Sequence, residues 1–441
     1  MDDLNCKWHL LGHVCRRWRK VVFGSPHRLN LRILCTQRTP VKTDLAIWPA
    51  YPIIIYYNNL RITTGDWDSN IIAALEHKDR VRSVNLTLRC SQLGRIAVVM
   101  REPFPLLTHL YIADMSSDRL RVRPGLPITF LGGSAPRLRS IILSGVHYPT
   151  IPTLLLSASD LVTLRLYRIP STSYISPQEM IACLSVLSRL ETFVIEFQSA
   201  VTPVPFLDQI PPITQVVLPA LTTFEFRGTT EYLGDLVPRI NSPQLDQIHI
   251  NFFNQLADFQ AAQVSQFIDR SLEMRSPVFK HTEVTFFSGG ASFAMRRPGS
   301  STIILWIGSQ VSHLPQALGQ IKISAILSNV VHLKLEVDPE RDSQIEGTFD
   351  VQWRHFFLLF SNAKTLHVSR KLSRQMTAAL ENIAGGKGAE VLPSLDLIWM
   401  GGQRASFIKK FVDARSLSDR RVTVVRNLTE FNKRLESYVG E

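Results

Sequence analysis

The stretch LVTLRL, residues 161–166, carries the pattern that decides the fold. An apolar residue is followed by two other residues, an apolar residue, one other residue and a further apolar residue. In a strand, Leu164 and Leu166 point to one face and Arg165 to the opposite face, because side chains alternate. The stretch therefore predicts a short strand with one buried face.

The same pattern recurs along most of the chain. The triplets are Val81/Val84/Leu86, Leu107/Leu110/Ile112, Leu138/Ile141/Leu143, Leu161/Leu164/Leu166, Leu190/Phe193/Ile195, Leu221/Phe224/Phe226, Leu245/Ile248/Ile250, Val330/Leu333/Leu335, Ala363/Leu366/Val368 and Leu392/Leu395/Leu397. First positions lie 23 to 33 residues apart, except for one step of 85 residues after Leu245. We expect weaker units at His281/Val284/Phe286 and around residues 303–307 to fill that step.

Repeats of this length are typical of solenoids in which each unit pairs a short strand with a helical or irregular return segment. The sequence thus predicts an α/β fold, an irregular leucine-rich-repeat-like solenoid with a parallel sheet. Prolines two residues ahead of an apolar triplet residue support strand starts, because proline disfavours helix in its predecessor. They are Pro105, Pro136, Pro219, Pro243 and Pro393. A mixed α/β domain of parallel strands is the alternative.

Several return segments carry helix signals. Ser176-Pro177 begins one helix as a cap followed by proline in the first turn, and residues 66–75 begin another with acidic residues. Residues 258–274, 352–361 and 372–383 have apolar residues at i, i+3 and i+4. We expect helices in all five segments.

Composition excludes a disordered chain. Of the 441 residues, 45% are hydrophobic and 20% charged, which is enough apolar material for a continuous core. The formal net charge of +12 permits attraction to acidic surfaces. A basic nucleic-acid-binding repeat protein is therefore the alternative function, although no known nucleic-acid-binding motif accompanies the basic clusters.

Location and chemistry are constrained by motifs that the sequence lacks. The five cysteines form no C-x-x-C pair, and the first residues lack the order of a secretory signal, so we expect a cytoplasmic or nuclear protein without a membrane anchor. The group Cys6, His9, His13 and Cys15 does not have the spacing of a zinc site. No catalytic motif is recognisable. We expect no enzyme activity, no cofactor and no metal.

Residues 8–22, WHLLGHVCRRWRKVV, have apolar residues at helical spacing and basic residues largely on the other side. This stretch resembles the second half of an F-box, most specifically at residues 14–18, VCRRW. The continuation through residues 38–40, 47–49 and 52–55 resembles the segment after the F-box in a large fungal family of F-box-like proteins with leucine-rich-repeat-like C-terminal regions. Without the resemblance, the same helix would be interpreted as a cap packed on the first repeat.

The resemblance implies a substrate-recognition subunit of an SCF-type ubiquitin ligase. Its F-box segment would bind the Skp-type adaptor, and its repeats would bind a target protein. The adaptor-binding residues would be Leu10, Leu11, Val14, Cys15, Trp18 and Val22. Residues 1–4 do not match the first helix of the motif, so we expect weakened adaptor binding. The expected domains are a partial F-box-like helical segment at residues 1–30, a linker and N-terminal cap at 31–80, and the solenoid at 81–441.

The outward residue between the two buried residues of each strand is the natural contact for a partner, since strands of such a solenoid line an extended surface. The predicted partner-binding residues are Thr87, Tyr111, Arg165, Glu225, His249, Lys334 and His367. Both signs of charge occur among them. That mixture favours a protein segment over a phosphate backbone, so we expect no specific nucleic-acid binding.

Overall fold

The computed structural model describes residues 14–24, 32–36, 39–47, 50–58, 67–116, 125–199, 215–253, 267, 280–287, 290–296, 302–308, 327–338, 353–384 and 391–439. The chain divides into two compact units, Met1–Leu221 and Thr222–Glu441. Each unit is described by itself below.

Parallel strands in sequence order form the sheet of the first unit. They are β1 (Ile33–Cys35), β2 (Ile53–Asn58), β3 (Val81–Leu88), β4 (His109–Asp114), β5 (Ser140–Ser144), β6 (Thr163–Ile169) and β7 (Thr192–Phe197). A short strand, β8 (Val216–Val217), follows. The helices are α1 (Arg16–Gly24), α2 (Val41–Ile47), α3 (Trp67–Leu75), α4 (Cys90–Val99), α5 (Ile151–Ser157) and α6 (Pro177–Leu184), with 3₁₀ turns at Phe130–Gly133 and Ser171–Ser173. This succession of parallel strands and helices is the solenoid pattern.

The second unit has a mainly parallel sheet with one reversed insertion. Its strands are β9 (Thr223–Gly228), β10 (Ile240–Asn241), β11 (Gln247–Phe252), β12 (His281–Phe287), β13 (Gly290–Arg296), β14 (Thr302–Gly308), β15 (His332–Val337), β16 (Thr365–Val368), β17 (Leu397–Met400) and β18 (Thr423–Val425). The helices are α7 (Thr230–Leu236), α8 (Trp353–Leu358), α9 (Ser373–Ala384), α10 (Lys409–Leu417) and α11 (Leu428–Val439), with 3₁₀ turns at Val237–Arg239 and Ala405–Ile408.

The order of strands in this second sheet is β9, β11, β14, β13, β12, β15, β16, β17, β18. Strand β13 is antiparallel to both of its neighbours, β12 and β14, whereas β14 pairs parallel with β11 and β12 pairs parallel with β15. The weaker units expected after Leu245 are therefore strands. They lie in reverse order, with an unpredicted strand between them, whereas the strands of the ten triplets follow the sequence order within each unit.

A turn leads into most strands of both units. The backbone N–H of the first triplet residue donates to a carbonyl oxygen three residues earlier. The pairs are Leu107 to Phe104, Leu138 to Ala135, Leu161 to Ala158, Leu190 to Leu187, Leu245 to Ser242, Val330 to Leu327, Ala363 to Phe360 and Leu395 to Leu392. The accepting residues are buried as well. Each of these repeats thus has four inward positions, one more than the triplet pattern predicts.

One predicted triplet starts three residues too early in the sequence. In the register of β16 and β17, Leu366 pairs with Ile398 and Val368 with Met400. The equivalent triplet is therefore Leu395/Ile398/Met400, three residues after the predicted Leu392/Leu395/Leu397. In the other nine triplets, the second and third residues lie in strands and are buried.

The predicted fold class, an α/β leucine-rich-repeat-like solenoid with a parallel sheet, is confirmed. Helices α3, α6, α8 and α9 lie where helix signals were found, while residues 258–274 lie outside the described residues apart from Phe267. Strands β1 and β2 lie in the segment 31–80 and continue the sheet of β3. The domain boundaries at residues 30 and 80 stay a prediction.

Candidate functional site

The outward side chains of the second unit form one row across its sheet. The backbone register aligns Glu225, His249, Ile304, Ala294, Glu283, Lys334, His367, Trp399 and Val425. Side chains alternate along a strand, so these residues lie between positions that face the core, apart from Val425 at the end of β18. The row therefore places side chains from distant segments next to each other.

A groove of about 840 Å³ lies on this row. Its floor consists of outward residues of β12, β15, β16 and β17, and its wall is a face of helix α11. The floor includes His281, Glu283, His332, Lys334, His367 and Trp399, and the wall includes Leu428, Phe431 and Leu435. We call this the C-terminal groove.

Helix α11 forms the wall because its apolar residues recur at helical spacing. Phe431 is buried against Leu397 and Val425, and Leu435 packs beside it together with Trp399. Asn427 starts the helix: its side-chain oxygen accepts the N–H of Thr429 at 2.9 Å. An asparagine in this place satisfies one of the free N–H groups of the first turn.

Charged groups lie at one side of the floor. The Lys334 ammonium contacts Glu336 Oε1 at 2.8 Å and Glu283 Oε1 at 3.3 Å. Burial alone would lower the pKa of Lys334, but the hydrogen bonds and charges of Glu336 and Glu283 outweigh it and raise that pKa. The lysine is therefore a cation held between two carboxylates, and the three groups together carry one net negative charge.

Aromatic rings cover the other side of the floor. The His367 ring stacks on Trp399 with centroids 4.4 Å apart, and its centroid is 5.7 Å from that of Phe431. Burial, followed by the charge of Lys334, lowers the pKa of His367 to about 4. His367 is consequently neutral near pH 7 and contributes a flat, uncharged surface to the groove.

A second pair of stacked rings lies beside the first. His281 and His332 have centroids 4.4 Å apart, and His332 Nδ1 is 3.0 Å from Thr365 Oγ1. Burial lowers the pKa of His332 to about 4, with smaller contributions from His281, Lys280 and Lys364. Burial, and then Lys280, also lowers the pKa of His281. These rings add further uncharged surface.

The predicted partner-binding residues fall into three groups. Lys334 and His367 line the C-terminal groove. Glu225 and His249 lie in the same row but outside the groove lining. Tyr111 and Arg165 lie in the corresponding row of the first unit, which runs Asn85, Tyr111, Ile142, Arg165 and Val194.

Thr87 does not belong to that row. It pairs with Ala113, one outward position further along β3, and its side chain is only 9% exposed. The outward position equivalent to Tyr111 is Asn85. The assignment of Thr87 as a partner-binding residue is therefore corrected to Asn85.

The predicted adaptor-binding residues lie partly within the described residues. Val14 is 63% exposed and Trp18 49% exposed, and Cys15 is exposed as well. Val21 on the same helix, 53% exposed, extends this apolar surface. Leu10 and Leu11 lie outside the described residues, as does the side chain of Val22. The interpretation of this helix as a cap that buries its apolar face does not fit these exposures.

Sequence reasoning missed His281, His332, Trp399 and the wall residue Phe431. Trp399 is the outward residue between Ile398 and Met400. Pro393 precedes Leu395 by two residues, and this spacing marks Leu395 as the first residue of the triplet and so points to Trp399. Glu283 pairs with Lys334, so the equivalent outward position of β12 lies two residues before Thr285, the position given by the predicted unit His281/Val284/Phe286. Phe431 carried no strand signal, and only the tertiary fold places it on the sheet.

Comparison with known proteins identifies neither a family nor a function for this chain. No family model matches the chain, and no curated protein matches it. Among solved structures, the crystal structure of a TLR13–ssRNA13 complex aligns over 89% of this chain at 11% sequence identity and a TM-score of 0.24. This chain covers 41% of the length of that chain. The fold assignment therefore rests on the strand register and the buried triplets.

Two features are absent from the described residues. They contain no helix with the length and hydropathy to cross a membrane. They also contain no group of three or more His, Cys, Asp or Glu side chains arranged to hold a metal ion.

Proposed function

We propose that this chain is a non-catalytic protein-interaction module that binds an extended protein segment on the outward face of its second sheet. The C-terminal groove is the observation that carries this proposal. It joins an aromatic floor, an apolar helix wall and a charged side in one concave site, and interaction sites on proteins typically combine these features.

The groove favours a segment with a large apolar side chain. Trp399 and His367 supply uncharged rings next to Phe431 and Leu435, and the neutral histidine places no charge against an apolar group. Polar groups of the bound segment would meet Lys334 and its two carboxylates. The paired charges argue against a phosphate backbone, which favours a continuous basic surface.

A selection experiment tests this proposal. A phage-displayed library of random peptides is selected on the purified full chain, and the affinity of the recovered peptides is measured against variants. We expect recovered peptides to share a large apolar residue and His367→Ala to weaken them about tenfold, which is about 1.4 kcal/mol. Lys334→Met should weaken them as well.

His249→Ala is the matched control, because His249 lies in the same row but outside the groove lining. It should leave the affinity unchanged, and thermal unfolding should show that each variant is folded. The proposal is wrong if folded His367→Ala and Lys334→Met proteins bind the recovered peptides as tightly as the parent chain.

A second candidate function concerns helix α1. We propose that the repeats act as the target-binding part of a cytoplasmic or nuclear substrate receptor of an SCF-type ubiquitin ligase, with α1 at the Skp-type adaptor. The exposed side chains of Val14, Trp18 and Val21 favour this proposal, because an apolar helix surface of this kind is suited to a partner.

Binding to a purified Skp-type adaptor tests the second candidate. Trp18→Ala should weaken any complex by about 2 kcal/mol, since buried tryptophans are typical hot spots of interfaces. Val98→Ala, which truncates an exposed apolar residue on α4, is the control and should have no effect. An absence of adaptor binding, or equal binding by Trp18→Ala, would reject the adaptor assignment but leave the groove proposal in place.

A further inference from the structure

A second surface lies at the strand starts of the first unit. Backbone hydrogen bonds link one residue at the start of each strand to the equivalent residue of the next repeat. The Thr108 N–H donates to the Arg82 carbonyl at 2.9 Å, and the Arg139 N–H donates to the Thr108 carbonyl at 2.8 Å. Val162 and Glu191 continue this line. We call it the strand-start row.

Two arginines of this row flank an exposed histidine. Neighbouring strands are about 4.8 Å apart, so the backbones of Arg82 and Arg139, two strands apart, are separated by about 10 Å. His109 lies on the strand between them and pairs with Ser83 on one side and Ser140 on the other. The side chains of Arg82, His109 and Arg139 are exposed.

Neither Arg82 nor Arg139 forms an ion pair with another described residue. Partial burial lowers the pKa of His109, and the charges of Arg82, Arg32 and Arg139 lower it further. The charges of Arg82 and Arg139 therefore both reach the His109 ring, which lies on the strand between them.

The extent of the charge indicates the kind of partner. The strand-start row continues from Arg139 to the apolar Val162 and the acidic Glu191, so its positive charge ends after two arginines. The outward row, three residues further along the strands, contains Tyr111 and Ile142 next to Arg165. A mixture of arginine, aromatic and aliphatic side chains is typical of protein interfaces, whereas a nucleic-acid backbone favours an unbroken basic surface.

We propose that Arg82 and Arg139 bind acidic groups of a protein segment that lies across the strand starts of the first unit. The hydroxyl groups of Ser83 and Ser140 would add hydrogen-bond donors to the same anion. Carboxylate and phosphate both fit this chemistry, since arginine donates two parallel hydrogen bonds to either group. This site is separate from the C-terminal groove and does not depend on it.

Fluorescence anisotropy with a labelled ten-residue peptide of alternating glutamate and serine tests the proposal at low and physiological salt. The full chain should bind the peptide, and Arg82→Gln/Arg139→Gln should weaken it at least tenfold. Arg101→Gln is the matched control, because Arg101 is exposed but lies outside the strand-start row. The control should bind as the parent chain does.

Further measurements distinguish carboxylate from phosphate, and peptide from nucleic acid, as the bound anion. The same peptide with phosphoserine in place of serine should bind more tightly if phosphate is preferred, and equally well if carboxylates suffice. Equal weakening by Arg101→Gln, or no weakening by the double variant, would overturn the proposal. So would a single-stranded RNA of ten nucleotides that binds more tightly than either peptide and depends on the same two arginines. His367→Ala should leave this assay unchanged, which separates the result from the groove proposal.

Discussion

Arg415 is a buried cation that forms no ion pair with a carboxylate of the described residues. Its side chain is 1% exposed, and its Nη1 and Nη2 atoms donate to the carbonyl oxygens of Val391, Leu392, Pro393 and Leu395 at 2.9 to 3.2 Å. Burial, followed by the charge of Arg420, lowers its pKa. Leu392 adopts a left-handed conformation with φ of 48°, so this turn needs outside support.

Replacement of Arg415 by methionine should lower the free energy of unfolding by about 3 kcal/mol. The substitution removes the donors and leaves several buried carbonyls without a partner, and hydrogen bonds to a charged group contribute more than neutral ones. Urea denaturation of the full chain gives this quantity. Arg421→Met, at an exposed position, is the control and should have little effect. A denaturation midpoint for Arg415→Met equal to that of the control would contradict this role.

At the scale of single residues, the sequence predicted part of the site. Lys334 and His367 were found because they lie between two buried residues of correctly framed triplets. Trp399 was missed because Leu392, Leu395 and Leu397 also fit the apolar pattern. With three leucines near one strand, the pattern does not decide which residue begins the triplet. Pro393 resolves that ambiguity, because prolines elsewhere precede the first triplet residue by two positions.

At the scale of elements, local sequence signals specified strands and helix starts but not their partners. The Ser176 cap formed as expected, with its side chain accepting the Glu179 N–H and Pro177 in the first turn. Alternation in β12 and β14 predicted strands correctly. It carries no information about direction or neighbours, so the reversed order and the antiparallel strand β13 could not be predicted from it.

A proline substitution in β13 tests the reversed insertion. β13 lies between β12 and β14, so both of its edges are paired, and Ala294 faces Glu283 on one side and Ile304 on the other. Ala294→Pro should lower the free energy of unfolding by about 3 kcal/mol or more, because proline cannot donate to a ladder. Ala294→Val is the control, since valine favours strands.

Urea denaturation provides the comparison for these two variants. Equal midpoints for Ala294→Pro and Ala294→Val would mean that β13 has a free edge, and the order of strands in the second unit would have to be revised.

At the scale of the whole molecule, the net charge of +12 is a poor guide to the partner. In the C-terminal groove, Lys334 and Arg370 are balanced by Glu283 and Glu336, so the site is not basic. In the first unit, the positive charge of the strand-start row is limited to Arg82 and Arg139, and the row continues with Val162 and Glu191. The distribution of charge therefore favours protein segments at both surfaces, although composition alone also permitted nucleic acid.

A protein segment bound in the C-terminal groove of the repeat sheet should protect the backbone amides around it. Hydrogen exchange of the full chain, with and without a peptide recovered by the library selection, measures this protection. Amides of β15, β16, β17 and α11 should exchange more slowly when the peptide is bound, because the groove is built from these elements. Slower exchange confined to the first unit, or no change in these four elements at a saturating peptide concentration, would contradict binding in this groove.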